Sequence, residues 1–211
     1  MLGNVEKRTV KGYKDMEVPF TLFRKDSTSL AIILPGSGYT SQAPLLHYAK
    51  AVFANKSFDV LQVNYQYNND DYDGFRELGE AIKWDVNVVL DELLANHTYD
   101  QFYFIGKSLG TIAMSSVLNR EIFHDAKAIW LTPLIHRDDV WEAMVNSMNK
   151  GLCIIGDKDP CYREERYLKI VENANIMQKL IPNVNHDLEY RENVLGSIDV
   201  LKDIIAAIEQ F

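Results

Sequence analysis

The sequence predicts an α/β protein with a mostly parallel central sheet and helices on both faces. Three observations carry this. Runs such as Leu30–Leu34, Gln101–Ile105 and Gly151–Ile155 are continuously apolar, as expected of strands buried on both sides. Between such runs lie stretches with apolar residues at helical spacing. The longest covers Phe75 to Asn96, with Leu78, Ala81, Ile82, Val86, Val89, Leu90 and Leu93 on one side. The length of 211 residues, with 47% hydrophobic and 25% charged residues, suits a single domain spanning 1–211 around one well-buried core. No repeat, low-complexity tract or linker divides it.

Taken in order, the chain opens with two short alternating stretches, Thr9–Tyr13 and Val18–Phe23. The segment Lys14–Glu17 suits a hairpin between them, and Pro19 suits an edge strand. Leu30–Leu34 is the first buried strand and ends in Pro35-Gly36-Ser37-Gly38-Tyr39. A helix is expected over Gln42–Lys56, a strand over Phe58–Tyr65, a polar loop over 68–74, and then the long helix. Gln101–Ile105 leads through a turn into a helix at Thr111–Leu118. Strands at Ala126–Leu131, Gly151–Ile155 and Asn175–Ile181 alternate with helices near Asp138–Asn149, Glu164–Asn173 and Val194–Gln210. Between Trp130 and Leu152 there is room for one helix and not for a multi-helix cap.

In sheets of this kind, chemistry lies at the carboxyl ends of the strands. The segment Gly106-Lys107-Ser108-Leu109-Gly110 fits G-x-S-x-G between a strand and a helix, the setting in which the motif means a nucleophilic serine. The turn is so tight that the residues two before and two after the serine must be very small. It also sets Ser108 at a helix N-terminus, where amide donors favour developing negative charge. Serine needs a base, and the base needs a carboxylate that fixes its tautomer. Of His47, His97, His124, His136 and His186, the last is best placed, in Asn185-His186-Asp187 directly after the last strand, with His136 as the fallback. Two acids follow the strand ending at Ile155. Asp159 precedes Pro160, which stiffens the loop that presents it, and Asp157 can instead hold the turn.

An oxyanion hole needs two N–H donors aimed at one point. The amide of Leu109 is one, and the loop Gly36-Ser37-Gly38-Tyr39 offers the other, Ser37 first, then Gly38 or Tyr39. Residues expected to line the substrate site are Gly38, Tyr39, Lys107, Leu134 and His136, with Tyr65, Tyr67, Ile135, Trp141 and Tyr162 as further candidates. Lys107, beside the nucleophile, points away as an exposed elbow residue or attracts an anionic substrate. Cys161 has no adjacent helix start and is not expected to act as a nucleophile.

The order Ser108, Asp159, His186, together with Leu34-Pro35-Gly36-Ser37-Gly38, resembles the α/β-hydrolase superfamily over nearly the whole chain. In similar proteins the acid is the aspartate next to the proline, which favours Asp159. The chain departs from the lipase-like pattern in lacking His-Gly-Gly-Gly. The resemblance implies a small, capless serine hydrolase that cleaves carboxylic esters of small or medium acyl groups through an acyl-enzyme, with no cofactor and no metal. A thioesterase or lysophospholipase-like acyl hydrolase is the alternative chemistry, and a binding module on the same scaffold is the alternative class. The net charge of −8 disfavours nucleic acid and anionic membranes as partners, leaving a small-molecule substrate. Cys153 and Cys161 form neither a disulfide framework nor a metal spacing. The first eight residues lack the apolar segment of a signal peptide, and no run approaches the roughly 18 apolar residues of a membrane span, so a cytoplasmic location is expected.

Overall fold

The computed structural model describes residues 4–67 and 75–211. The polar loop expected over 68–74 lies outside them. Among the described residues eight strands form one sheet in the order β1-β2-β4-β3-β5-β6-β7-β8. They are β1 (Asn4–Lys11), β2 (Glu17–Arg24), β3 (Ser29–Leu34), β4 (Asp59–Val63), β5 (Gln101–Lys107), β6 (Lys127–Leu131), β7 (Gly151–Gly156) and β8 (Ile176–Ile181). From β3 onward all neighbours pair in parallel, while β2 runs antiparallel to both β1 and β4. Among the same residues six α-helices connect or flank the strands: α1 (Pro44–Asn55), α2 (Phe75–Leu94), α3 (Gly110–Val117), α4 (Asp138–Val145), α5 (Glu164–Val171) and α6 (Val194–Gln210).

The pleat sorts the apolar runs onto two faces. Leu30, Ile32, Phe102 and Phe104 meet Ile82 and Val86 of α2, Ile112 of α3, Val140 of α4 and Ile170 of α5. Ala31, Ile33, Tyr103 and Ile105 meet Leu45 and Phe53 of α1 and Ile204 and Ile208 of α6. Continuous apolar strands are therefore needed, because each residue faces a helix layer on one side or the other. Only α4 lies between β6 and β7, so no cap stands over the strand ends among the described residues.

Two expectations change. Pro19 does not lie on an edge strand: β1 is the edge, and β2 is paired on both sides. The Pro19 carbonyl accepts from the Asn64 amide at 2.8 Å, on the β4 side, so the missing N–H falls where the β4 ladder ends. The first strand also begins at Asn4, earlier than the alternation suggests. Most of its residues are exposed, so its composition carries no buried period.

Strand order reverses around β3, with Leu34 paired to Gly106. The loop after β3 and the turn after β5 thus emerge side by side at a switch point, the place where open α/β sheets hold their ligands.

Candidate active site

The turn after β5 is strained in the way its sequence demands. Ser108 has φ 50°, in the left-handed region. Its amide donates to the Leu131 carbonyl at 3.0 Å, and its carbonyl accepts from the Thr111 amide and hydroxyl at 2.9 and 2.6 Å. Space is tight at both flanking glycines, against a side chain at Gly106 and against backbone at Gly110. A Cβ on Gly106 would stand 2.3 Å from Met114 Sδ, and one on Gly110 would stand 2.2 Å from the Leu34 carbonyl oxygen.

Three side chains from three strand ends meet here. His186 Nε2 lies 2.8 Å from Ser108 Oγ, and His186 Nδ1 lies 2.8 Å from Asp159 Oδ2. Because a carboxylate only accepts, Nδ1 carries the hydrogen, and Nε2 accepts from the serine hydroxyl. Asp159 is 4% exposed, and its other oxygen accepts the Cys161 amide at 2.7 Å. The loop after β7 is held close to the His186 loop at Gly156, where a Cβ would stand 2.2 Å from the Val184 carbonyl oxygen. Asp157 is placed elsewhere: its Oδ1 accepts the Asn183 amide at 2.7 Å and so ties the loop after β7 to the loop after β8. His136 is exposed on the cavity rim, with its pKa lowered by partial desolvation of its ring and by Arg163 and Arg137 nearby. A hydroxyl, an imidazole and a buried carboxylate in this row can move a proton from the hydroxyl to the ring as the oxygen attacks.

Beside Ser108 is a cavity of about 230 Å³. Leu78, Ile112 and Leu134 give it apolar wall, and Ser37, Leu109 and His136 also face it. Gly36 brings the loop after β3 close: a Cβ there would lie 3.3 Å from Ser108 Cβ. Gly38, at φ 70°, lines a larger cleft of about 990 Å³ that shares Ser37 and Leu109 with the smaller cavity and extends over β2 and β4. Tyr65 and Tyr67 line that cleft as well. Ile135 is fully buried in the core, and the Trp141 indole donates to the Arg166 carbonyl. Leu78, Gly79, Ile112 and Arg137 are wall residues that sequence reading does not single out, because on helices and turns their pattern is that of ordinary packing.

Lys107 requires a correction. It is neither an exposed elbow residue nor a lining residue: it is fully buried. As the last residue of β5 it alternates with Gly106, so its side chain falls on the face of Ile105 and away from α3. Burial lowers its pKa, opposed by the charges of Asp187 and Asp159. Tyr39 also differs from expectation. Its ring lies over the Lys107 ammonium at 4.3 Å, and its hydroxyl accepts the Leu45 amide.

Cys161 sits beside the acid. Burial, with the Asp159 charge next in effect, pushes its thiol up to about 12, so it stays protonated near neutrality. Among the described residues Asp159, Cys161 and His186 bring a carboxylate oxygen, a thiol and an imidazole nitrogen within 4.8 Å of one another, a donor set that suits a thiophilic divalent cation. A cation held through His186 Nδ1 would displace the Asp159–His186 hydrogen bond.

No protein-family model and no curated protein matches the chain. Solved structures do. An α/β serine hydrolase homologue from Coxiella burnetii aligns with TM-score 0.75 at 12% identity, over 100% of this chain and 98% of that one. An α/β serine hydrolase without a lid from Xanthomonas campestris aligns with TM-score 0.72 at 16% identity, over 98% and 93%. An esterase of Pyrococcus furiosus aligns with TM-score 0.76 at 12% identity, over 99% and 93%. The chain has the α/β-hydrolase fold, with no cap among the described residues.

Proposed function

We propose that the protein is a serine hydrolase that cleaves carboxylic esters of small or medium acyl groups. The observation that carries this reading is the row Asp159–His186–Ser108, with both hydrogen bonds at 2.8 Å, at the carboxyl ends of β7, β8 and β5. In this reading Ser108 Oγ attacks the ester carbonyl as its proton passes to His186 Nε2. Asp159 holds the ring and offsets the charge it gains. The amides of Leu109 and Ser37 face the oxyanion. The C–O bond to the alcohol breaks as His186 returns the proton to the leaving oxygen. Water, deprotonated by the same ring, then releases the acid from Ser108.

The apolar wall of Leu78, Ile112 and Leu134 and the modest cavity volume support a short acyl chain. The likeness to an esterase and to serine hydrolases supports the reaction class. We read residues 1–211 as one domain working in the cytoplasm on a small molecule, without cofactor, nucleic acid or membrane; the net charge of −8 favours this.

A fluorophosphonate probe tests the reading. The wild type is expected to be labelled and Ser108→Ala not. A folded wild type that resists the probe sinks the hydrolase reading and leaves a binding module. Rates on p-nitrophenyl esters of increasing acyl length and on matched thioesters then rank the chemistry, with short oxygen esters expected to lead.

A further inference from the structure

A buried ammonium is costly unless it is paired, and an apolar side chain would fill the same space without that cost. Lys107 is nevertheless completely buried, in a layer that otherwise holds Ile105, Leu131 and Ile154. Its partners come from three separate strand ends. Nζ donates to the His186 carbonyl at 3.0 Å and approaches Thr132 Oγ1 at 3.4 Å. Asp187 Oδ1 stands 3.8 Å away on a half-exposed side chain, and the Tyr39 ring covers the ammonium at 4.3 Å.

Each of those strand ends carries part of the site. The loop after β8 carries His186. Thr132 directly follows Leu131, whose carbonyl takes the Ser108 amide. The carbonyl of Tyr39 takes the Gly36 amide and so shapes the loop that carries Ser37. We propose that Lys107 is a positioning residue: its ammonium holds the backbone of His186 and the ring of Tyr39 to the strand that carries Ser108. The proposal rests on the hydrolase reading for its effect on rate, though not for its effect on the His186 loop.

The geometry says why this matters. The imidazole makes two bonds of 2.8 Å at once, so a small rise of its backbone breaks one of them. The His186 carbonyl is where the clamp acts. Asp187, next in sequence, supplies the counter-charge from the solvent side. Direct contact with a substrate is excluded by burial, since no ligand in the cleft can reach Nζ.

Lys107→Met is the test, with two readouts. One is the low-field proton signal of His186 Nδ1–H, read by NMR without substrate and assigned by its loss in His186→Gln. The other is the separation of kcat from KM on a short p-nitrophenyl ester. The expected result is a broadened or lost Nδ1–H signal with kcat lower by about 10- to 100-fold and KM within about threefold of wild type. A folded Lys107→Met that keeps the signal overturns the proposal, as does one whose loss is confined to KM or whose kcat is unchanged. If Lys107→Met does not fold, Asp187→Asn and Thr132→Val take its place. Each removes one partner of the ammonium, and each is expected to broaden the same signal and lower kcat; two unaltered spectra overturn the proposal. A wild type with no turnover in which Lys107→Met still loses the signal separates the cases: the clamp stands and the hydrolase reading falls.

Discussion

The two sides of the site are built differently. On the side of β5, β7 and β8, position is enforced by contact. Ser108 sits in a turn where Gly110 touches the Leu34 carbonyl, Asp159 is buried, and Gly156 leaves no room between its loop and Val184. On the side of β3, the loop that offers Ser37 is open. Gly38 has no heavy atom within 4 Å of where a Cβ would stand, and Ser37 and Gly38 are exposed. The lesson is about what each side supplies. Under the proposed reading the first supplies side chains, whose chemistry tolerates no substitution and whose alignment needs support, and the second supplies a backbone amide, which any residue but proline carries.

The largest effects are expected on the enforced side. Under the proposed reading, Ser108→Ala lowers kcat by ~10⁶ if the row acts as a unit. Asp159→Asn keeps the shape, favours the wrong tautomer of His186, and costs ~10⁴. Asp157→Asn provides the contrast. It weakens the bond to the Asn183 amide and removes the charge that Lys158 Nζ approaches at 3.9 Å, neither of which touches the row, so it lowers stability and leaves kcat near wild type. Steady-state rates on a p-nitrophenyl ester, beside urea unfolding, check all three. Equal losses for Asp157→Asn and Asp159→Asn would break the assignment of the acid.

On the open side, the proposed reading gives the role to the amide and none to the side chain. Ser37→Ala is expected to keep kcat close to wild type, while Ser37→Pro, which removes the donor, lowers it by about 10²–10³. Measuring both under saturating substrate sharpens the comparison. A large loss in Ser37→Ala would show that the hydroxyl takes part, and no loss in Ser37→Pro would move the donor to Gly38 or Tyr39.

This difference also sets what the sequence makes legible. Gly110 is written into the chain because the Leu34 carbonyl excludes any side chain there, and Gly106 packs against Met114 and the Gly110 backbone, so their spacing around Ser108 can be read directly. His186 and Asp159 can be read because only their residue types do the proposed work and both follow apolar runs. Strands β3 to β8 are legible because burial on two faces demands apolar runs. β1 is not, since its residues are largely exposed and its pairing rests on backbone bonds. Lys107 misleads for a related reason. A lysine in a sequence reads as solvated, and its burial depends on Tyr39, Thr132 and the His186 carbonyl, which the fold brings together from distant positions. Leu134 and His136 of the cavity wall are legible as residues that follow a strand end, while Leu78 and Ile112 are hidden, because they follow the same helical spacing as the core residues beside them.

The smallest expected effects test the comparison through stability alone. Gly110→Ala forces a methyl group to within 2.2 Å of a backbone oxygen in the middle of the sheet, where neither α3 nor β3 can yield without losing its own packing. The expected cost exceeds ~3 kcal/mol, the upper range for overpacked cores. Gly38→Ala meets no neighbour, so its cost is that of holding alanine at φ 70°, about 1 kcal/mol. Urea denaturation of both variants measures the gap. If Gly38→Ala proved as damaging as Gly110→Ala, the loop after β3 would be held as tightly as the serine turn, and the contrast between an enforced and an open side would not survive.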